Sequence, residues 1–342
     1  MKPNKTYIKV LVISSLLAIG LSFIQLPYYV TKPGLATELK PLVEVEGGFD
    51  DEEGSFMLTT VRMGRANIFS YAWAYLNKYN MIYPMEQIRN EGESDDEYTY
   101  RQLYLMEGSK EAAIAVAYQH ADKPVSFTYQ GVYVMGVLEG MPAFEQLQAG
   151  DRIYMADGKE FNTSDEFIEI VSGKKQGEEV DLMFERNGQK ETVRVQITPF
   201  PTDPTKVGVG ISLVTDREIT VEPDITINSE KIGGPSAGLM FSLEVYNQLT
   251  EGDLTKGFEI AGTGTINDKG VVGRIGGISQ KIVAADNTGV EIFLAPNEMG
   301  NTTSNYQEAL ATAKEIGTDM EIVPINTFED ALEYLNNLQP KK

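Results

Sequence analysis

Cysteine is absent from the 342-residue chain, and histidine occurs once, at His120. The first absence excludes a disulfide scaffold, a thiol nucleophile and thiolate metal ligation. With one histidine besides, no zinc site and no other metal centre is expected. His120 follows Ala117-Tyr118-Gln119 and reads as a cation placed at a helix C-terminus, not as part of a catalytic triad. Positive charge is scarce as well. There are 29 Lys and Arg against 50 Asp and Glu, a formal charge of −21. That balance argues against nucleic acid as a partner and against broad adhesion to anionic lipid heads. No Gly-x-x-x-x-Gly-Lys-Ser/Thr loop and no His-Glu-x-x-His stripe occurs. An ATPase module, ATP as a ligand and a zinc peptidase are therefore not expected, and no cofactor is indicated. Hydrophobic residues make up 42% of the chain, ample for a buried core.

What is present concentrates between Lys231 and Asp286. Gly233-Gly234-Pro235-Ser236-Ala237-Gly238 is a tight turn, and Leu239, Met240, Leu243 and Tyr246 after it keep helical apolar spacing. The spacing predicts Ser236 in the first turn of a helix, where unpaired N–H groups and the dipole favour an oxyanion. Gly234, Pro235 and Ala237 are the supporting candidates around it. Gly273-Arg274-Ile275-Gly276-Gly277-Ile278-Ser279-Gln280-Lys281 is a second glycine turn, and 281 − 236 places its lysine 45 residues downstream. On a helix Lys281 would have Ile278, Ala284 and Ala285 beside it. A lysine titrates near ~10.4, so acting as a base near neutrality needs a fall of roughly 3 pH units, about 4 kcal/mol of desolvation. A serine activated by a neutral lysine needs no histidine. Taken singly, a glycine turn is common and a lone lysine is usually solvated. Lys231 is the alternative base.

Gly234-Pro235-Ser236-Ala237-Gly238 followed by Ile275-Gly276-Gly277-x-x-x-Lys281 resembles the proteolytic domain of Lon-type peptidases. Thr263-Gly264-Thr265-Ile266 resembles the segment that precedes their lysine loop. The resemblance implies Ser236 as nucleophile, Lys281 as base and Thr263 as a neighbour of the dyad. Where many Lon proteins carry an acidic residue three positions before the serine, this chain has Gly233.

In chain order, residues 1–31 read as a basic tail and membrane anchor. Lys2, Lys5 and Lys9 precede an uncharged run from Val10 to Thr31, 22 residues against the roughly 20 that span a bilayer. Tyr28 and Tyr29 suit an interface. The rival is a cleaved signal peptide, with Ala18-Ile19-Gly20 in mid-run. Residues 32–123 read as linker and N-terminal part of the peptidase unit, the stretch 32–55 being a solvated linker. Phe56 to Val61 predicts a strand and Asn67 to Tyr79 an aromatic helix. Ser94-Asp95-Asp96-Glu97 is a capping box for a long helix. Residues 200–342 complete the peptidase unit, with strand and helix alternating after Lys281.

Residues 124–199 form a β-rich insertion. Val132 and Val134 lie on a strand, Ser164 to Ser172 on a helix, and Asn187-Gly188 marks a hairpin. Gly140-Met141-Pro142-Ala143, Leu147-x-x-Gly150-Asp151-x-Ile153 and Asp157-Gly158 resemble a PDZ domain of the bacterial protease type. That resemblance implies peptide capture by strand addition. The groove candidates are Gly131, Val132, Val134, Phe167, Ile168 and Val171, the last three equally readable as core.

The expected fold is thus α+β: a mixed α/β Lon-type domain with an inserted PDZ domain and an N-terminal transmembrane helix. The whole order resembles the membrane-anchored, PDZ-containing Lon-like peptidases of Gram-positive bacteria, the YlbL/SepM group. It implies an ATP-independent serine endopeptidase, single-pass in the cell membrane with its domains extracellular, acting on peptides or small membrane proteins. Lon-type domains often form rings, so a homo-oligomer is a further expectation. Two other readings stay open: a catalytically silent PDZ scaffold, and a small-molecule kinase using a glycine-serine turn for phosphate.

Overall fold

The computed structural model describes residues 5–90, 93–201, 203–229 and 232–341. Helix α1 (Lys5–Ser22) leads into strands β1 (Gln25–Glu38), β2 (Val43–Val45) and β3 (Ser55–Asn67). Helix α2 (Ile68–Leu76), strand β4 (Met81–Pro84), the single turn α3 (Met85–Ile88) and the long helix α4 (Asp95–His120) follow. The next stretch is mostly strand: β5 (Val125–Val137), β6 (Arg152–Ala156), β7 (Lys159–Glu160), helix α5 (Ser164–Ser172), β8 (Glu179–Arg186) and β9 (Gln189–Gln196). It closes with β10 (Thr198–Phe200), β11 (Asp203–Gly208) and β12 (Ile211–Val221). Then come β13 (Ile225–Ile227), α6 (Gly238–Leu249), β14 (Glu259–Gly262), β15 (Thr265–Ile266) and β16 (Val272–Gly273). The chain ends with α7 (Ile278–Thr288), β17 (Ile292–Pro296), α8 (Asn305–Ile316), β18 (Glu321–Ile325) and α9 (Phe328–Asn337).

The unit expected to be catalytic is a three-layer α/β structure. Its sheet runs β18-β17-β14-β3-β1-β4, parallel from β18 to β3 and antiparallel thereafter. Successive residues on a strand face opposite layers. Phe56, Leu58, Ile260, Leu294 and Val323 join α4, α6 and α9 in one core, whereas Met57, Ala261, Phe293 and Ile322 join α7 and α8 in another. Parallel strands covered on both faces account for the continuous apolar runs in the sequence. Helix α4 begins at its expected capping box, with Ser94 Oγ accepting from Glu97 N at 3.2 Å and Glu97 Oε2 accepting from Ser94 N at 2.8 Å. It runs through Gly108 without a break.

The second unit is a five-strand path, β12-β5-β6-β8-β9, closed by α5 around Val132, Ile153, Phe167, Leu182 and Val195. Arg186 pairs with Gln189 across the Asn187-Gly188 turn, as expected. The two units share a ribbon. The first half of β5 and the second half of β12 reach the catalytic core, where Val125, Ile219 and Val221 pack.

Three expectations are corrected. The uncharged run 10–31 is not one helix. Helix α1 stops at Ser22, and Tyr28 to Thr31 are backbone-paired to β3 and β4. Pro27 cannot continue a helix, and the Tyr-Tyr-Val-Thr sequence suits a strand. Among the described residues no helix is long and apolar enough to cross a membrane, so the transmembrane helix is not found. Residues 32–55 are no solvated linker, because Leu39, Val43 and Val45 are buried in the catalytic core. The insertion does not end at 199, since β12 completes its sheet and Val209 lies in its core.

Leu39 separates the two accounts of residues 32–55. Leu39→Ala should lower unfolding stability by about 2–5 kcal/mol, the cost of a core cavity. A linker position would change it by less than about 0.5 kcal/mol. Urea denaturation of the two proteins measures the difference.

Candidate active site

Ser236 is held by its backbone. Gly234, at φ +87°, turns the chain toward α4, where its N–H donates to Gln102 O at 2.8 Å. One residue on, Pro235 O accepts from Ser109 Oγ at 3.0 Å. Gln102 and Ser109 are seven apart on α4 and so share one helix face. From the other side, Ser236 O accepts from Gly264 N at 2.9 Å and from Thr263 Oγ1 at 2.9 Å. Gly264 sits at φ +155°, and a β-carbon there would run into Val272. Helix α6 starts at Gly238 with Ala237 as its cap. Ser236 therefore lies just before the helix, not in its first turn as expected. Its carbonyl is committed to Thr263 and Gly264, which breaks the helical pattern, and Leu239 N bonds Gly264 O at 3.2 Å. The half-buried hydroxyl still faces the N-terminal end of α6, where free N–H groups and the dipole favour negative charge.

Lys281 comes from α7, behind the αL turn at Gly277. Its side chain is buried among residues that include Ile278, Ala284 and Ala285, themselves buried. Nζ lies 3.1 Å from Ser236 Oγ and donates to Thr59 O at 2.6 Å. Among the described residues no carboxylate holds the charge, and burial brings the amine down to about 7. A neutral amine has two N–H groups and one lone pair. With one N–H on Thr59 O, the lone pair can take the serine proton. The sequence-predicted Ser236, Lys281, Gly234, Pro235, Ala237 and Thr263 thus come together, and Thr263 acts on the serine's carbonyl. Lys231 lies outside the described residues. His120 sits elsewhere, at the end of α4, where its Nε2 is 2.8 Å from Glu329 Oε1.

Sequence reasoning missed Thr59, Gln102 and Ser109. Thr59 contributes a backbone oxygen, for which no side-chain signal exists. It also missed Gln280, whose Nε2 donates to Thr31 Oγ1 at 2.8 Å and to Tyr79 O at 3.0 Å, tying α7 to the sheet beside Lys281. Asn305 clamps the second glycine turn, accepting from Ile275 N at 2.8 Å and donating to Ile275 O at 3.1 Å.

The peptide groove is corrected. Val132 and Val134 lie on β5, which is paired on one side by β12 and on the other by β6, leaving no edge for an added strand. Val132, Val134, Phe167 and Val171 belong to the core of the unit, and Gly131 is buried. Of the six candidates only Ile168 is exposed, at 52%. Strands β12 and β9 are the two ends of the sheet path, and the N-terminus of α5 is pinned to β12 by Ser164 N donating to Thr215 Oγ1 at 3.0 Å. Ile211 and Leu213 on that strand are only partly buried. Further along, Thr215 to Arg217 enter a cleft of about 530 Å³ shared with Tyr104, Ser109 and Pro235, beside the serine turn.

Comparison with known proteins divides the chain into two matched segments. Residues 105–197 match the PDZ domain family, and residues 189–337 match the Lon protease (S16) C-terminal proteolytic domain. The Lon protease of Campylobacter jejuni is 27% identical over 176 residues, 49% of this chain and 21% of the relative. That of Xanthomonas oryzae is 25% identical over 159 residues, 46% of this chain and 17% of the relative. The chain spans about a fifth of the length of these curated relatives. The solved PDZ domain of the SdrC-like protein from Listeria monocytogenes is 38% identical, covering 25% of this chain and 90% of that one, with a TM-score of 0.24. The chain carries a PDZ domain and a serine peptidase domain of the S16 type. Neither matched segment includes residues 25–104, which supply Thr59 and Gln102 to the site.

Two outcomes follow from an amine near pKa 7. Labelling of Ser236 by a fluorophosphonate should rise as pH climbs through about 7 and then level off, because the neutral amine is the active form. Folding should feel the same group. Its folded value lies below its unfolded one, so the unfolded state binds the extra proton, and stability is lost below about 7 and regained toward ~10.4. Lys281→Met should therefore raise the midpoint of thermal unfolding at pH 7, a gain on the order of 2 kcal/mol after the orphaned Thr59 carbonyl is counted. The gain should vanish near pH 10.

Proposed function

We propose, from the premise of a Lon-type proteolytic domain joined to a PDZ unit, that this chain is an ATP-independent serine endopeptidase with a Ser236–Lys281 dyad. The observation that carries the reading is the 3.1 Å approach of the buried Lys281 amine to Ser236 Oγ. Lys281 takes the hydroxyl proton as Ser236 attacks the scissile carbonyl. N–H groups at the start of α6 stabilise the oxyanion, and Lys281 then protonates the leaving amine. Water releases the acyl-enzyme by the same proton route. On this reading substrates arrive already extended. The free edge of β12 offers them strand pairing, and its onward course past Thr215 leads toward the cleft at Pro235.

The same reading places the chain at the cell membrane on its extracytoplasmic face, as in the YlbL/SepM group. The support is α1, whose side chains from Val10 to Leu17, Leu11, Ile13 and Leu16 among them, are exposed. An exposed, largely apolar helical run suits contact with lipid. Substrates would then be secreted peptides or small membrane proteins.

Ser236→Ala and Lys281→Ala should each abolish cleavage of a disordered protein while leaving circular dichroism unchanged, with ATP making no difference to wild type. Retention of near-full activity in Lys281→Ala would assign the base elsewhere. Comparing the secreted and membrane peptides of cells carrying wild type or Ser236→Ala identifies the substrate.

A further inference from the structure

Helix α2 turns an apolar face outward. Ile68, Phe69, Ala72, Trp73, Tyr75 and Leu76 are exposed, and Trp73, Tyr75 and Leu76 keep 64%, 75% and 81% of their surface. At about 100° per residue these six positions fall within one arc of roughly 160°. Ala74, outside that arc, is buried. The helix holds no charged residue, and a capping box between Asn67 and Ser70 fixes its start. Its apolar face is therefore part of the ordered structure.

The face adjoins the end of α1. Asn67 Nδ2 donates to Ser22 O at 3.2 Å, and Phe23 and Ile24 between α1 and β1 are 80% and 48% exposed. The exposed surface of α1 thus runs on into that of α2. Where α1 meets α2, the composition changes from aliphatic residues to Phe, Trp and Tyr. Rings with an apolar body and a polar tip suit the boundary between acyl chains and headgroups, and an uncharged aromatic helix is stabilised there.

We propose that α2 lies in the interfacial layer of a lipid bilayer beside α1 and fixes how the catalytic unit faces the membrane. The proposal rests on the reading of α1 given above, and the occupant is lipid, because α1 and α2 present one continuous uncovered apolar surface. Through β1, which joins α1 to the sheet and packs beside α7, this contact also sets the height of the active site above the membrane.

Trp73 is the chain's single tryptophan, so its fluorescence reports on α2 alone. The full chain is reconstituted with phosphatidylcholine vesicles, plain or brominated in the acyl chains. Flotation with the vesicles reads α1, and Trp73 emission reads α2. The expected result is flotation, a blue-shifted emission, quenching by brominated lipid of roughly half or more, and weak quenching by aqueous iodide. The double variant Phe69→Ser, Leu76→Ser, which touches only exposed positions, should still float while iodide quenching rises several-fold. Flotation with a Trp73 that iodide quenches fully and bromine leaves unchanged overturns the proposal and leaves the reading of α1 standing. Failure to float overturns both. A blue-shifted but bromine-insensitive emission, with concentration-dependent dimers in sedimentation, assigns the face to a second copy and also overturns it.

Discussion

The site depends on an ammonium that burial does not tolerate. Lys281 Nζ has a carbonyl oxygen and a hydroxyl as its hydrogen-bond partners, at 2.6 Å and 3.1 Å, and among the described residues no carboxylate to share its charge. An ion pair would have stabilised the charged form and removed its basicity. The pocket does the opposite, and the surrounding structure must be stable enough to offset the cost. That requirement explains why α7 is anchored so heavily. Ile278, Ile282 and Ala285 pack into the second core with Phe293, and Gln280 and Asn305 fasten the helix and its approach turn by paired hydrogen bonds.

The serine is placed by a different logic. Backbone groups of the serine turn are held by two backbone contacts and by the hydroxyls of Ser109 and Thr263. Gln102 O receives Gly234 N, Pro235 O receives Ser109, and Ser236 O receives Thr263 and Gly264. The nucleophile is thus suspended between the long helix α4 and the segment that joins β14 to β15. Helix α4 and the loop after β15 also meet β12. Arg217 on that strand bonds Glu111 of α4 at 3.1 Å and Asp268, in the β15–β16 loop, at 2.9 Å. Strand β12, the supporting helix α4 and the β15–β16 loop are therefore joined through Arg217.

Much of this was legible in the residues. The glycine turns, the serine, the lysine and Thr263 stand in local patterns whose chemistry can be read without coordinates, and the capping box at Ser94 and the Asn187-Gly188 turn are local too. What was not legible depends on partners distant in the chain. Tyr28 to Thr31 read as the end of an apolar helix because pairing with Met81 to Pro84 and Met63 to Arg65 leaves no mark within residues 28–31 themselves. Leu39, Val43 and Val45 were diluted by Asp50 to Glu53 and taken for solvent-facing chain. The groove was put on β5 because strand order is a topological fact: composition shows that β5 is a strand, not that β12 and β6 occupy both its edges.

The cost of the lysine also bears on where such a site can be built. A desolvated amine must be reachable by substrate at one atom and sealed everywhere else. In this chain it enters from α7, the layer opposite α6, and reaches Ser236 past Thr59 on β3, near the end of the central strands. The Lys281 side chain is buried, while Ser236 stays half-buried, next in the chain to Pro235, which lines a cleft with Thr215 to Arg217 of β12. A lysine on α6 itself would share the serine's opening and its water, and would titrate near the ordinary value. Bringing base and nucleophile from opposite layers is what lets one remain dry while the other meets a peptide.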